Sequence, residues 1–306
     1  MGGHSHTHAA GRAVDRTRLK LVLLITGVVV VVEIVGALLS GSLALLADAG
    51  HMIADGAGVG LALSASYVAT LSATSRRTFG FHRAEILAAL LNSVALLGIC
   101  GYLLVEGIRR LVRPEAVETA PMLVAALLGL VANAVALGLL RGRREQSLNM
   151  RGAYLEVLGD LVGSLGVVVA ALVIMATGNS RADPIASLLI AAMILPRAVL
   201  LVRDAVDVLL EAAPAHLDLD DLRGHLCEVP GVVDVHDLHA WTITSGMPVL
   251  SAHVTVTDEV LAERGVGALL DQFSRCVAGH FEVDHATFQI EPQSHKAHEH
   301  LGEAHA

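Results

Sequence analysis

The sequence predicts an α-helical membrane protein with six spans followed by a soluble, ferredoxin-like α/β module. Three observations carry this. The 306 residues are 54% hydrophobic and only 17% charged, against about a quarter charged in ordinary soluble domains. Long apolar runs alternate with short basic loops up to about residue 210, and the last third has soluble composition with charges throughout.

A spanning helix needs about 20 mostly apolar residues. The stretches Leu19 to Leu39, Leu43 to Thr70, Glu85 to Val105, Met122 to Leu140, Gly152 to Thr177 and Ile185 to Val202 qualify. An even number of spans puts both termini on one side. The first run is too long for a signal-peptide core and lacks a convincing cleavage site. On the side of the termini lie Arg12, Arg16, Arg18, Lys20, Arg76, Arg77, Arg83, Arg141, Arg143, Arg144 and Arg151; on the other lie Arg109, Arg110, Arg113 and Arg181, with Glu115 and Glu118 beside them. The excess of basic residues predicts cytoplasmic termini in an integral cell (inner) membrane protein.

The last third reads as a helix over Leu219 to Glu228, a strand with Val233, Val235, Leu238 and Trp241, the turn Ser245 to Pro248, a strand over Val249 to Val256, a helix over Glu259 to Phe281 and a strand over Ala286 to Ile290. The order αββαβ suits a ferredoxin-like sandwich with one further short strand near residue 211. Four segments follow: a His-containing tail over 1–18, a membrane domain over 19–210, a cytoplasmic module over 211–293 whose small core metal binding or dimerisation would help, and a His-rich tail over 294–306. The first 15 residues and the last dozen are expected to be disordered.

A net charge of -9 argues against nucleic acid as a partner, which selects a basic face. Cys100, Cys227 and Cys276 are too few and too scattered for a disulfide framework or a Cys-based zinc cluster. Histidine is abundant, 16 in all, with His4, His6, His8, His295, His298, His300 and His305 in the tails, where they suit metal capture. An H-E-x-x-H helix is absent from the sequence, which removes the zinc metalloprotease reading, and no enzyme activity is expected.

Ionisable groups at bilayer depth cost several kcal/mol and normally face a cavity or a partner. The second span carries His51 and Asp55, the fifth Glu156 and Asp160. Each pair is four residues apart and so lies on one helix face, about 6 Å apart along the axis. Singly, each residue is also accounted for by helix packing; two such pairs in separate spans favour a metal site, because four N/O donors around one point are what tetrahedral Zn²⁺ takes. Asp48 reads equally as a cap or gate residue near the membrane face, and Glu33, Glu85, Asn92, Glu106 and Asn133 as packing or interfacial groups.

These residues resemble the cation diffusion facilitator family, the metal-ion/proton antiporters. The resemblance runs along the whole chain and rests on Ser42 to His51 (SLALLADAGH) with Asp55, Phe79 to Ala89 (FGFHRAEILAA), Asn149 to Leu155 (NMRGAYL) with Asp160, and Val235 to Trp241 (VHDLHAW) with Ser251 to Val254 (SAHV). It implies a homodimer in the lipid bilayer that exports a divalent metal from the cytoplasm against protons as counter-ion. The transport ligands it implies are His51, Asp55 and Asp160, with position 156 as the fourth. The commonest zinc pattern has His there. Glu156 makes the set harder, so Zn²⁺ comes first with Cd²⁺, Co²⁺, Fe²⁺ or Mn²⁺ still admitted. In the soluble module the resemblance points to His239, His253 and His285, with Glu291 as a further oxygen ligand and His236 nearby; surface histidines remain the alternative. Asp48 and His82 stand as auxiliary candidates. The competing function is a membrane-anchored metal sensor that binds without transporting.

Overall fold

The computed structural model describes residues 5–141, 148–281, 283 and 285–298. Its helices are α1 (Ser5–Ser40), α2 (Leu43–Ala69), α3 (Ala84–Val112), α4 (Thr119–Arg141), α5 (Leu148–Thr177) and α6 (Ala182–Leu209), then α7 (Leu219–Cys227), β1 (Val232–Thr242), β2 (Pro248–Val256), α8 (Asp258–Phe281) and β3 (His285–Pro292). The first six are each long and apolar enough to cross a membrane. Large side chains such as Leu24, Val31, Leu38 and Leu189 are exposed along them, as an apolar solvent permits.

The chain divides into two compact units, Met1–Leu61 with Leu91–Val202 and Ala62–Leu90 with Arg203–Ala306. In the first, α4 packs against α1 and α5. Close approach depends on glycine: a Cβ at Gly36 would collide with Ala125 Cβ. Helix α1 ends in the manner of a left-handed glycine cap, with Gly41 at φ +71° donating its N–H to Ala37 O at 2.8 Å. Helix α2 restarts at once because Asp183, at the start of α6, caps it from outside. The Asp183 carboxylate accepts from Leu43 N at 2.8 Å, Ala44 N at 3.1 Å and Ser42 Oγ at 2.5 Å. Buried Leu43, Leu45, Leu103, Met122, Val167 and Ile190 belong to the core between these helices.

Two of the arginines opposite the tail side, Arg109 and Arg110, have carboxylate partners, and Arg181 has a backbone one. Arg109 pairs with Glu106 at 2.5 Å and Glu115 at 2.6 Å, Arg110 pairs with Glu106 at 2.8 Å, and Arg181 Nε donates to Leu111 O at 3.1 Å.

In the second unit β2 is central, antiparallel to β1 and parallel to β3. Leu250, Ala252, Val254 and Val256 of β2 meet Leu222 and Leu226 of α7 and Leu269, Phe273 and Val277 of α8 in one core. Asp218 caps α7, accepting from Asp220 N and Asp221 N. The loop after α2 belongs to this unit: Arg83 Nη2 pairs with Glu211 Oε1 at 2.8 Å, and Thr244 Oγ1 donates to Glu85 Oε2 at 2.9 Å.

Four expectations need correction. Among the described residues no strand forms near 211, since Leu210 N bonds Val206 O and Ala212 N bonds Asp207 O to finish the α6 end, with Glu211 at φ 60°. β1 does not alternate evenly: a register shift between Val232 and Asp234 leaves Val233 45% exposed, and a bulge between His236 and His239 makes Val235, Leu238 and Ala240 the inward set. α8 is interrupted at Gly265, φ 77° and ψ 159°. Residues 5–18, expected to be disordered, continue α1, and Gln293–His298 forms a 3-10 turn; extending a helix that already exists escapes the nucleation cost. His4, His300 and His305 lie outside the described residues.

Candidate metal centres

His51 and Asp55 project from one face of α2, as i,i+4 spacing requires, toward Asp160 of α5. His51 Nε2 lies 3.5 Å from Asp55 Oδ2 and 3.8 Å from Asp160 Oδ1. Donors held at about 2.0–2.2 Å around a tetrahedral ion are roughly 3.4 Å from one another, close to both of these separations. His51 and Asp160 are buried, at 8% and 3% exposure. His51 Nδ1, Asp55 Oδ2 and Asp160 Oδ1 have no hydrogen-bond partner, which is costly for buried polar atoms unless a ligand or proton completes them.

Glu156 is one turn before Asp160, hydrogen-bonds the Asp55 carboxyl, and lines with Asp55 and Asp160 a cavity of about 600 Å³ between α1, α2 and α5. The three carboxyl groups therefore share one cavity, and His51 adjoins it through Asp55 and Asp160. Arg197 of α6 also reaches Asp55, its Nη1 3.7 Å from Oδ2. Sequence reasoning missed it: Arg197 follows Pro196, inside the last span, and no spacing rule links it to a residue 142 positions earlier.

Asp48 is not a cap or gate near a helix end. Its carboxyl is 1% exposed, accepts from Ser164 Oγ at 3.0 Å and hydrogen-bonds Glu33, while Asn133 Nδ2 donates to Ser164 Oγ at 3.3 Å. The capping role belongs to Asp183. Gly163 leaves room for this group, since a Cβ there would overlap Asp48 Oδ1. Glu33 and Asn133, read as packing residues, thus join one buried polar network beside the His51 site.

In the soluble module three donors converge. His236 and His253 face each other across β1 and β2, their rings 5.4 Å apart, and Glu291 of β3 reaches both: Oε1 is 3.1 Å from His253 Nδ1 and Oε2 is 3.7 Å from His236 Nε2. Ligand atoms of the three lie within 4.8 Å of one another. Two imidazoles and a carboxylate at that spacing fit a divalent ion with its remaining positions open to water.

His239 and His285, which the resemblance ranked first, stand apart from the three. His239 is displaced by the bulge and sits opposite Ser251; its Nε2 is 3.1 Å from Asp237 Oδ1. His285 pairs with Val249, whereas His253 pairs with Gln289, so His285 is about 13 Å away along the strand, edge-on to Phe79 at 5.8 Å. Asp237 was overlooked. Its φ of 48° turns the carboxylate onto the histidine face, 3.8 Å from His253 Nε2. His82 lies in the turn before α3, where its carbonyl accepts from Glu85 N.

A six-span helical membrane domain with buried acid and imidazole donors, joined to a small α/β module with a second donor cluster, defines a membrane protein that handles metal cations. The chain belongs to the cation efflux family: the cation efflux transmembrane domain matches residues 19–210 and the cation efflux cytoplasmic domain residues 214–293. It is 39% identical to the metal cation efflux system protein CzcD of Cupriavidus metallidurans, over 94% of this chain and 90% of that one. It is 41% identical to the zinc transporter ZitB of Escherichia coli, over 95% and 93%, and 37% identical to a cadmium, cobalt and zinc/H(+)-K(+) antiporter of Bacillus velezensis, over 96% and 93%. The metal-bound C-terminal domain of the CzcD transporter is 35% identical over 24% of this chain and 99% of its own, with a TM-score of 0.22.

Proposed function

We propose that the chain is a homodimeric divalent-metal efflux transporter, with zinc as first cargo, that exchanges metal for protons across the cell (inner) membrane. The observation that supports it most is the His51, Asp55 and Asp160 cluster, in which the two carboxylate oxygens facing His51 Nε2 are buried without hydrogen-bond partners inside membrane-spanning helices. The names of the relatives, which include zinc, cadmium, cobalt and an antiporter, agree with it.

Three carboxylates and an imidazole crowded in a low-dielectric cavity cannot all stand ionised and empty. Either protons or a divalent cation must neutralise them, so metal and H⁺ compete for one set of atoms. Arg197 beside Asp55 offsets part of that charge in the metal-free site. Alternating exposure of the cavity to the two sides then couples metal leaving the cytoplasm to protons entering it. The excess of basic residues on the side of the termini supports a cytoplasmic position for both.

The donor set His236, His253 and Glu291 fits a resident ion that biases the soluble module between arrangements, which works only through differential affinity for the two states. A sensor without transport is the competing reading, favoured by that triad alone; the membrane donors have no task in it. Gradient-dependent metal uptake into proteoliposomes separates the two. Flux that disappears in Asp160→Ala supports transport, whereas metal binding without flux for Zn²⁺, Cd²⁺, Co²⁺ and Mn²⁺ leaves the sensor.

A further inference from the structure

The soluble module carries a second group of metal-type side chains on its helices, away from the strands. On β2, Leu250, Ala252, Val254 and Val256 enter the core against α7 and α8. Side chains alternate along a strand, so His253 looks out of the opposite sheet face. His225 and Glu228 of the α7 end, and Cys276 and His280 of α8, instead line a cleft of about 520 Å³ beside Gln272 and Arg275.

Four features of this cleft suit a cation. The His225 and His280 rings are 5.3 Å apart between centroids, inclined by 38°; two imidazoles on one tetrahedral ion, with nitrogens at about 2.0–2.1 Å, have centroids about 5 Å apart. His225 Nδ1 is engaged with Asp221 O at 3.0 Å, which leaves Nε2 as the ligand atom and provides the carbonyl anchoring usual behind metal-bound imidazoles. Cys276 and His280 are one helical turn apart on α8 and present S and N to the same side. Glu228 lines the same cleft and supplies negative charge to it.

We propose that His225 Nε2, His280, the Cys276 thiolate and the Glu228 carboxylate form a second metal site of the soluble module, which takes a borderline-soft divalent cation, Zn²⁺ or Cd²⁺. Binding forms an M–S bond and releases the thiol proton to solvent. Its sulfur sets it apart from the two oxygen- and nitrogen-only centres and favours Zn²⁺ and Cd²⁺ over Mn²⁺. The inference stands independently of the transport reading, because it concerns equilibrium binding.

The test uses full-length protein in detergent with Co²⁺ as the spectroscopic stand-in for Zn²⁺. Thiolate coordination gives a sulfur-to-cobalt charge-transfer band that neither the membrane donors nor His236, His253 and Glu291 can produce. The band is expected in wild type, Cys227→Ser and His253→Ala, lost in Cys276→Ser, and weakened in affinity by about tenfold or more in His280→Ala. In parallel, Cd²⁺ should slow maleimide labelling of Cys276 by about tenfold or more while leaving Cys227 unchanged, a readout that needs no variant. A band that survives Cys276→Ser, its absence from wild type, or labelling of Cys276 at the same rate with and without Cd²⁺ would overturn the proposal.

Discussion

At the residue scale the membrane site turns on His51, whose Nε2 faces Asp55 and Asp160 at 3.5 and 3.8 Å. Removing the buried Asp160 carboxylate leaves the imidazole without its partner across the cavity, and metal flux should fall by at least about 100-fold in Asp160→Ala, measured with protein inserted normally and binding followed separately. Glu156→His changes the donor set from three carboxylates and one imidazole to two of each; the zinc-to-manganese flux ratio should rise. Arg197→Ala removes a cation 3.7 Å from Asp55. Its loss leaves that carboxylate's negative charge less offset, so the apparent KM for zinc should drop. His51, Asp55, Glu156 and Asp160 were legible because i,i+4 spacing fixes a shared helix face. Arg197, Ser164 and Asp237 were not: the first two act through contacts on other helices, and Asp237 through a left-handed backbone that no residue type announces.

At the element scale the break between α1 and α2 depends on a residue far along the chain. Asp183 is fully buried and satisfies two backbone N–H groups and the Ser42 hydroxyl. Asp183→Ala should cost about 1–2 kcal/mol for the cap and lower the melting temperature in detergent by roughly 5 °C, with Asp183→Asn recovering part of it. Gly36→Ala should likewise loosen the α1 and α4 contact, read as a lower melting temperature, because its Cβ would meet that of Ala125. The six spans and the αββαβ order were readable from hydropathy and period. The bulge in β1 was hidden because Val233 and Val235 look equivalent by pattern, and the expected strand near 211 gave way to backbone bonds that extend the α6 end. The bulge is also why His236, rather than Asp237, is paired with His253.

At the scale of the whole molecule, oxygen- and nitrogen-rich donors occupy the membrane helices, a His-His-Glu cluster one face of the soluble sheet, and a sulfur-containing cleft its helices. On the proposed function, transport requires only the first. Variants of His253 and Cys276 should therefore alter the dependence of flux on metal concentration while retaining gradient-driven transport. Fusing a protease-cleavable tag to the C-terminus tests the orientation: cleavage is expected in inside-out vesicles and protection in right-side-out ones. The most direct test of the central claim is zinc uptake into proteoliposomes that hold a fluorescent indicator, under an imposed pH gradient, with wild type beside Asp160→Ala. The account predicts zinc flux that follows the size and sign of the gradient and vanishes in the variant; flux indifferent to the gradient, or undiminished in Asp160→Ala, would contradict it.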